Sequence, residues 1–202
     1  MPITINGSGT LTGVSVGGLP DGIVDTDMIA ASAVTAPKRG AGAILQVVQG
    51  IKKDTASNST GARSWYETGI TTSITPSNAS NKIWLTGYVM CGIAGPQTNI
   101  GVGIYKAGSL ITGYQADASG SRTRIAVTGD NSPDGGYLNS MALIHFNYLD
   151  TAGGTSAITY GIGVRNPSSI TRTVKINYAE QNTDDQDHFV GTSVITAMEV
   201  AA

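Results

Sequence analysis

Few residues in this chain can do chemistry near neutral pH. There are two histidines, His145 and His188, and one cysteine, Cys91. His188 closes the phrase "DDQDH" beside Asp184, Asp185 and Asp187. Carboxylates with one imidazole can hold a cation through oxygen and nitrogen atoms. The run lacks the glycine-turned spacing of a dedicated calcium loop, so a hydrated acidic loop is the expected form and no metal site is assigned. His145 alternates with Met141 and Leu143, the setting of a hydrogen-bonded core or interface histidine rather than of a general base. Cys91 sits in "IWLTGYVMCGIA" among apolar neighbours, which predicts a buried, inert thiol. "GVGIYKAG" departs from a phosphate-cradling loop because Lys106 occupies the last glycine position and no helix follows. No G-x-S-x-G elbow and no catalytic carboxylate pair can be singled out. The expectation is a non-enzymatic protein with no cofactor.

Recognition then falls to the connections. Residues 112–121, "TGYQADASGS", 129–137, "GDNSPDGGY", and 181–190, "QNTDDQDHFV", are polar and rich in turn formers. Loops on a rigid scaffold are where contacts with other molecules concentrate. If this protein meets a saccharide surface, Tyr114 offers a flat ring for stacking, and Gln115, Asp117, Asn182 and Asp185 offer partners for hydroxyls. The alternative is that these loops are plain hydrated turns.

The elements that must carry such loops are legible from composition and periodicity. Of 202 residues, 13% are charged, against roughly 25% in an ordinary soluble domain. Glycine, threonine and serine together supply about a third of the chain, a profile of strands and turns rather than of helices. A net charge of -2 and the lack of a basic stripe argue against nucleic acid as a partner. One cysteine excludes an internal disulfide framework. No run of about 18 apolar residues is present, so no membrane insertion is expected.

From residue 43 onward the apolar residues recur with period two. "AILQVVQGI" is the first run. "TGITTSITP" places Ile70, Thr72 and Ile74 on one face. In "KIWLTGYVMCGIA", Ile83, Leu85, Val89, Cys91 and Ile93 share one face and Trp84, Thr86, Tyr88 and Met90 the other. Both faces are apolar enough to be covered, which suits a central strand or one at a subunit contact. "NIGVGIYKAGSLI" sets Ile100, Val102 and Ile104 inward with glycines opposite, and "KAG" makes a tight turn. "RTRIAVTG", "YLNSMALIHFNYLD", "AITYGIGVRN", "TRTVKINYAE" and "TSVITAMEV" complete the series. Such a chain reads as all-β, a jelly-roll or β-sandwich head spanning residues 41–202.

Residues 1–40 differ in kind. "MPITINGSGTLTGVSVGGLPDG" alternates weakly between many glycines, and a short helix capped by Asp25 or Asp27 ends before Pro37. Neither piece buries enough to be stable alone, so a mostly extended attachment and trimerisation segment is expected.

The phrases "GGLPDGIVDTDMIAASAVTAPKRGAGAILQVVQ", "ITPSNASNKIWL", "YLDTAGGTSAITYGIGVRN", "VKINYAE" and "TSVITAMEV" give the chain a further character. Over nearly its whole length it resembles the small fibre-like structural proteins of tailed bacteriophages, particularly marine phages and cyanophages. The resemblance implies a virion protein made in a host cytoplasm. It implies a homotrimeric jelly-roll head, attachment to other tail or capsid proteins through residues 1–40, and a host-surface glycan as a candidate partner. A capsid decoration protein or head fibre is the alternative within the same class. A glycan-degrading spike, from another class, needs paired carboxylates that the chain does not offer. No host-contacting residue is carried over from the resemblance.

Overall fold

The computed structural model describes residues 4–5, 11–12, 34, 38–93, 99–130, 140–181 and 183–202. The chain divides into two units, Met1–Arg39 and Gly40–Ala202. In the first, β1 (Thr4–Ile5) pairs antiparallel with β2 (Leu11–Thr12). The short helix expected ahead of Pro37 falls almost wholly outside the described residues.

The second unit is built from eleven strands: β3 (Ile44–Lys52), β4 (Ala56–Thr60), β5 (Trp65–Ile74), β6 (Lys82–Ile93), β7 (Asn99–Lys106), β8 (Ser109–Leu110), β9 (Val127–Asp130), β10 (Ala142–Thr151), β11 (Ile158–Arg165), β12 (Arg172–Ile176) and β13 (Ser193–Val200). They form two antiparallel sheets. In the first, β10 lies along one edge of β6; the other edge is shared by β13, which continues to β3, and β12, which continues to β4. In the second, the order is β5, β11, β7, and then β8 and β9 share the far edge of β7. Thus β3–β13–β6–β10 faces β5–β11–β7–β8/β9, which is the jelly-roll arrangement of eight strands in two sheets. The pair β4 and β12 is an addition to it.

The expected alternation is what closes the sandwich. Ile70 and Ile74 from β5, Ile83, Leu85, Val89, Cys91 and Ile93 from β6, and Ile100, Val102 and Ile104 from β7 are all buried in one core. Each such aliphatic side chain contributes about 1.5–3 kcal/mol by leaving water. The "KAG" turn takes left-handed backbone at Ala107 (φ 49°) and Gly108 (φ 76°), as a tight hairpin between β7 and β8 requires. Polar ties reinforce the packing. The buried Tyr160 donates its hydroxyl to Asp150 at 2.7 Å, and Lys106 pairs with the same carboxylate at 2.7 Å, joining β7 and β11 of one sheet to β10 of the other.

Three differences from expectation have simple causes. Strand β4, "ASNST", carries no apolar alternation because it is an edge strand with little to bury. The run "RTRIAVTG" is extended only from Val127, since its first part belongs to a loop lying over the second sheet. Of the two settings expected for His145, core or interface, the core is not the one found: it points outward from β10, its ring tilted against Tyr88 at 5.7 Å.

The most demanding buried group is Glu199 on β13, only 1% exposed and without a cation beside it. Its carboxylate accepts hydrogen bonds from Gln46 Nε2 (2.6 Å), Asn81 Nδ2 (2.6 Å), the Ser77 amide (2.7 Å) and the Ser77 hydroxyl (2.8 Å). Burial alone would raise its pKa. The four donors outweigh burial and hold it at about 2, below the ordinary value of 4.5. A carboxyl depressed on folding stabilises fully above its unfolded pKa and loses that contribution as pH falls through the folded value. Wild-type stability should therefore decline between pH 4.5 and about 2, by about 3 kcal/mol from this group. Glu199→Gln should be less stable at pH 6, with the gap closing in acid; parallel denaturant midpoints for both proteins across that window would refute the assignment.

Candidate functional site

The two sheets present outer faces of opposite character. On the second sheet, β7 and β11 carry glycines outward, and the chain uses them to cover itself. A Cβ on Gly103 would lie 2.7 Å from Leu110 and 2.9 Å from the Trp65 ring, and one on Gly163 would lie 2.3 Å from the Tyr105 ring. Trp65 and Tyr105 meet edge to face at 6.5 Å. The glycine floor thus lets aromatic rings and the 110–126 segment lie flat on this sheet.

Among the described residues, no equivalent cover lies over the first sheet. Directly opposed residues share a face, so the register gives its outer rows. One row runs Val47, Met198, Trp84, Leu149; another runs Ile51, Val194, Tyr88, His145. Val47 is 56% exposed, Leu149 55% and Leu143 53%. Between them lies the row Gln49, Thr196, Thr86, Asn147. A shallow cleft of about 440 Å³ opens at one end, lined by Ile44, Trp84, Asn147, Leu149 and Val200 with Gly42.

The polar groups on this face are already paired with one another. Trp84 Nε1 donates to Asn147 Oδ1 at 2.7 Å, Gln49 Nε2 to Thr196 Oγ1 at 3.0 Å, and Lys82 Nζ to Thr151 Oγ1 at 2.8 Å. Covering the part that holds Trp84, Asn147, Gln49 and Thr196 would keep these bonds and so lowers the penalty of burying their polar groups, while the Lys82 ammonium keeps two donors and its charge for solvent. A bare apolar sheet face with internally paired polar groups is chemically suited to lie against another apolar surface.

The loop residues named from sequence fall in different places. Tyr114 is half-buried: its ring packs on Tyr148 at 4.8 Å and against the core, and its hydroxyl accepts the Asn147 amide at 3.0 Å. That hydroxyl occupies an outward N–H of β10, whose only strand partner among the described residues is β6. The ring is therefore engaged within the protein rather than displayed for stacking. Gln115 is half-buried and Asp117 exposed in the same loop. Asp185 lies in the other loop, exposed, with His188 Nδ1 at 2.6 Å and the Asp187 amide at 3.0 Å; the His188 hydrogen bond is the main cause lowering its pKa. Asn182 lies outside the described residues, as does most of the 129–137 connection. Tyr114 meets the sheet on the β10 side of β6, level with Thr86. The 178–192 stretch returns on the β12 and β13 side, where Asn177 binds Met90. No hydrogen bond, ion pair or ring contact joins the two loops among the described residues.

No cluster of three or more histidine, cysteine or acidic side chains able to hold a metal occurs among the described residues. Cys91 is fully buried, its thiol pushed up to about 12 by burial, so it carries no thiolate near neutral pH. No described helix is long and apolar enough to cross a membrane. A scan against models of protein families and a search of curated proteins each give no match.

Two features escaped the sequence reading. Phe189, 72% exposed, stands with Val190 beside the acidic run; only its isolation among polar neighbours could have marked it. Val47, Ile51 and Met198 join Trp84 on the bare face, which requires strand order to see.

The packing of Tyr114 yields a stability prediction. Tyr114→Ala should destabilise by about 2–3 kcal/mol, somewhat below the cost of deleting a fully buried ring. Tyr114→Phe should lose only the bond to Asn147, about 1 kcal/mol. Thermal melts of the two variants check this, and an unchanged melting temperature in Tyr114→Ala would show the ring to be dispensable for folding.

Proposed function

We propose that this chain is a non-enzymatic structural protein of a bacteriophage particle, a short homotrimeric fibre of the kind its sequence resembles. The jelly-roll unit forms the head, and residues 1–40 attach it to other virion proteins. Contact with a host-surface glycan is part of this reading.

The observation that supports it best is the bare outer face of the β3–β13–β6–β10 sheet. Its occupant in this reading is a further copy of the same chain. Four strands at about 4.8 Å spacing and eight residue steps at about 3.4 Å give a face of about 500 Å². Laid against an equal area of a neighbouring subunit, it would bury about 1,000 Å² in total, the lower bound for a specific interface before side-chain relief is counted. The face suits a like partner because it is apolar, carries no carboxylate in these rows, and keeps its polar groups paired internally. Around a threefold axis the contact is heterologous, this face of each subunit meeting a different surface of the next, and the ring closes without leaving an open end.

Light scattering of the purified full chain should give the mass of three subunits. Trp84→Asp with Leu149→Asp should reduce that mass to one chain while leaving the strand signature in circular dichroism intact, since both side chains point away from the core. A stable single-chain mass for the unaltered protein at micromolar concentration would overturn the reading. Deleting residues 1–40 should leave the head folded yet exclude it from purified particles; its continued incorporation would overturn the attachment role.

A further inference from the structure

The ion pairs among the described residues use lysine or histidine: Lys52 with Asp54, Lys106 with Asp150, Lys175 with Glu180, and His188 with Asp185. The arginines at one end of the second sheet follow a different rule. Arg122 and Arg165 line one open pocket of about 270 Å³ with Asn99, Thr123, Ile125 and Thr128, and neither is in an ion pair among the described residues. Gly101 forms part of the wall, where a Cβ would lie 2.9 Å from Ile125 and 3.5 Å from the Arg165 Cβ. The glycine therefore lets the Ile125 side chain pack against β7 as one wall of the pocket.

No carboxylate lines the pocket. Arg63 adds a third positive charge. Its amide binds Ser168 O, next to the pocket residue Pro167, and its charge acts on Arg165. A protein with net charge -2 thus places like charges together around an open volume, with no carboxylate among the described residues that line it. Half-buried Arg165 has lost part of its hydration, and that desolvation, with the repulsion from Arg63, lowers its pKa. A bound anion would relieve both costs.

The remaining lining narrows the ligand. Thr123, Thr128 and Asn99 offer hydroxyl and amide groups, while Ile125 and Pro167 offer apolar surface. Thr128 already donates to Ile100 O at 2.9 Å, so its hydroxyl oxygen is left to accept a proton from a ligand. Arg122 is braced by Nη1 to Ser119 Oγ at 3.0 Å. Guanidinium forks bind carboxylates in a bidentate fashion. Hydroxyl acceptors beside apolar surface suit a sugar ring with its C–H faces, and the volume suits a single ring.

We infer that the pocket between β7, β9 and β11 is a binding site for a carboxylated sugar residue, with Arg122 and Arg165 holding the carboxylate. The pocket lies on the second sheet and not on the bare apolar face of the first. Its role as a receptor site rests on the attachment reading above; binding itself does not.

The test is a titration of the full-length protein with D-glucuronate, D-glucose and inorganic sulfate in turn, followed through the arginine Nε–H resonances. Glucuronate should shift Arg122 and Arg165 with a saturable midpoint that weakens as salt is raised. Glucose should leave them unmoved, and sulfate should bind at least tenfold more weakly. Arg165→Gln should weaken glucuronate at least tenfold; Arg122→Gln, in a loop, should do the same should the strand variant not fold. Equal binding of glucose, sulfate matching glucuronate, or either folded variant binding like the unaltered protein would overturn the proposal. Subunit mass is measured on the same samples. Lost binding in an intact trimer counts against the pocket alone, and intact binding in a monomer counts against the fibre reading alone.

Discussion

The architecture depends on one seam. Strand β6 is central, yet one of its edges is shared by two strands, β13 opposite residues 82–88 and β12 opposite residues 91–93. Where they meet, the backbone of Met90 would be left without partners in the middle of a sheet, which folded proteins rarely tolerate. Ser193 and Asn177 close the gap. The Met90 amide donates to Ser193 Oγ at 2.9 Å, and Met90 O accepts the Asn177 amide at 2.8 Å. The Ser193 hydroxyl donates to Asn177 Oδ1 at 2.6 Å, and Asn177 Nδ2 reaches Lys52 O and Asp54 O at 2.9 and 2.8 Å. Both side chains are fully buried and fully bonded. Asn177 also takes left-handed backbone, φ 65°, which asparagine tolerates better than most residues. The addition of β4 and β12 to the eight-strand plan hangs from this junction and from the buried Asn166, whose amide binds Thr60 O, Gly61 O and Ile170 O.

Period-two alternation is a local property, and what depended on it alone was readable. The inward sets of β5, β6 and β7 follow directly from spacing, since a strand with one buried face cannot slip by one residue. Strand order, the splitting of the β6 edge and the roles of Asn177 and Glu199 are not local. An asparagine or glutamate in a strand pattern looks like any solvent-facing polar residue until the partners that satisfy it are known. The candidate sites divide the same way. Trp84, Tyr88 and Met90 were visible as a second apolar face of one strand. The extent of that face needed β3 and β13 beside it. Tyr114 shows the opposite limit: an aromatic residue in a polar loop looked available, but the loop folds back and its ring packs on Tyr148.

The same device, a row of glycines, produces both unlike surfaces of the second sheet. Gly103 and Gly163 let rings settle onto the strands, while Gly101 lets the Ile125 side chain pack against its strand beside the pocket. The first sheet has larger residues in the matching outward positions. Among the described residues no loop lies flat over it.

Cys91 carries a consequence of a different kind. As the only sulfhydryl, fully enclosed between the sheets, it can neither bridge to another chain nor accumulate oxidised forms without the core opening first. The covalent make-up of this fold is thus insensitive to whether its surroundings are reducing or oxidising. Passage from one to the other would leave the molecule chemically unchanged, with its durability governed wholly by non-covalent packing.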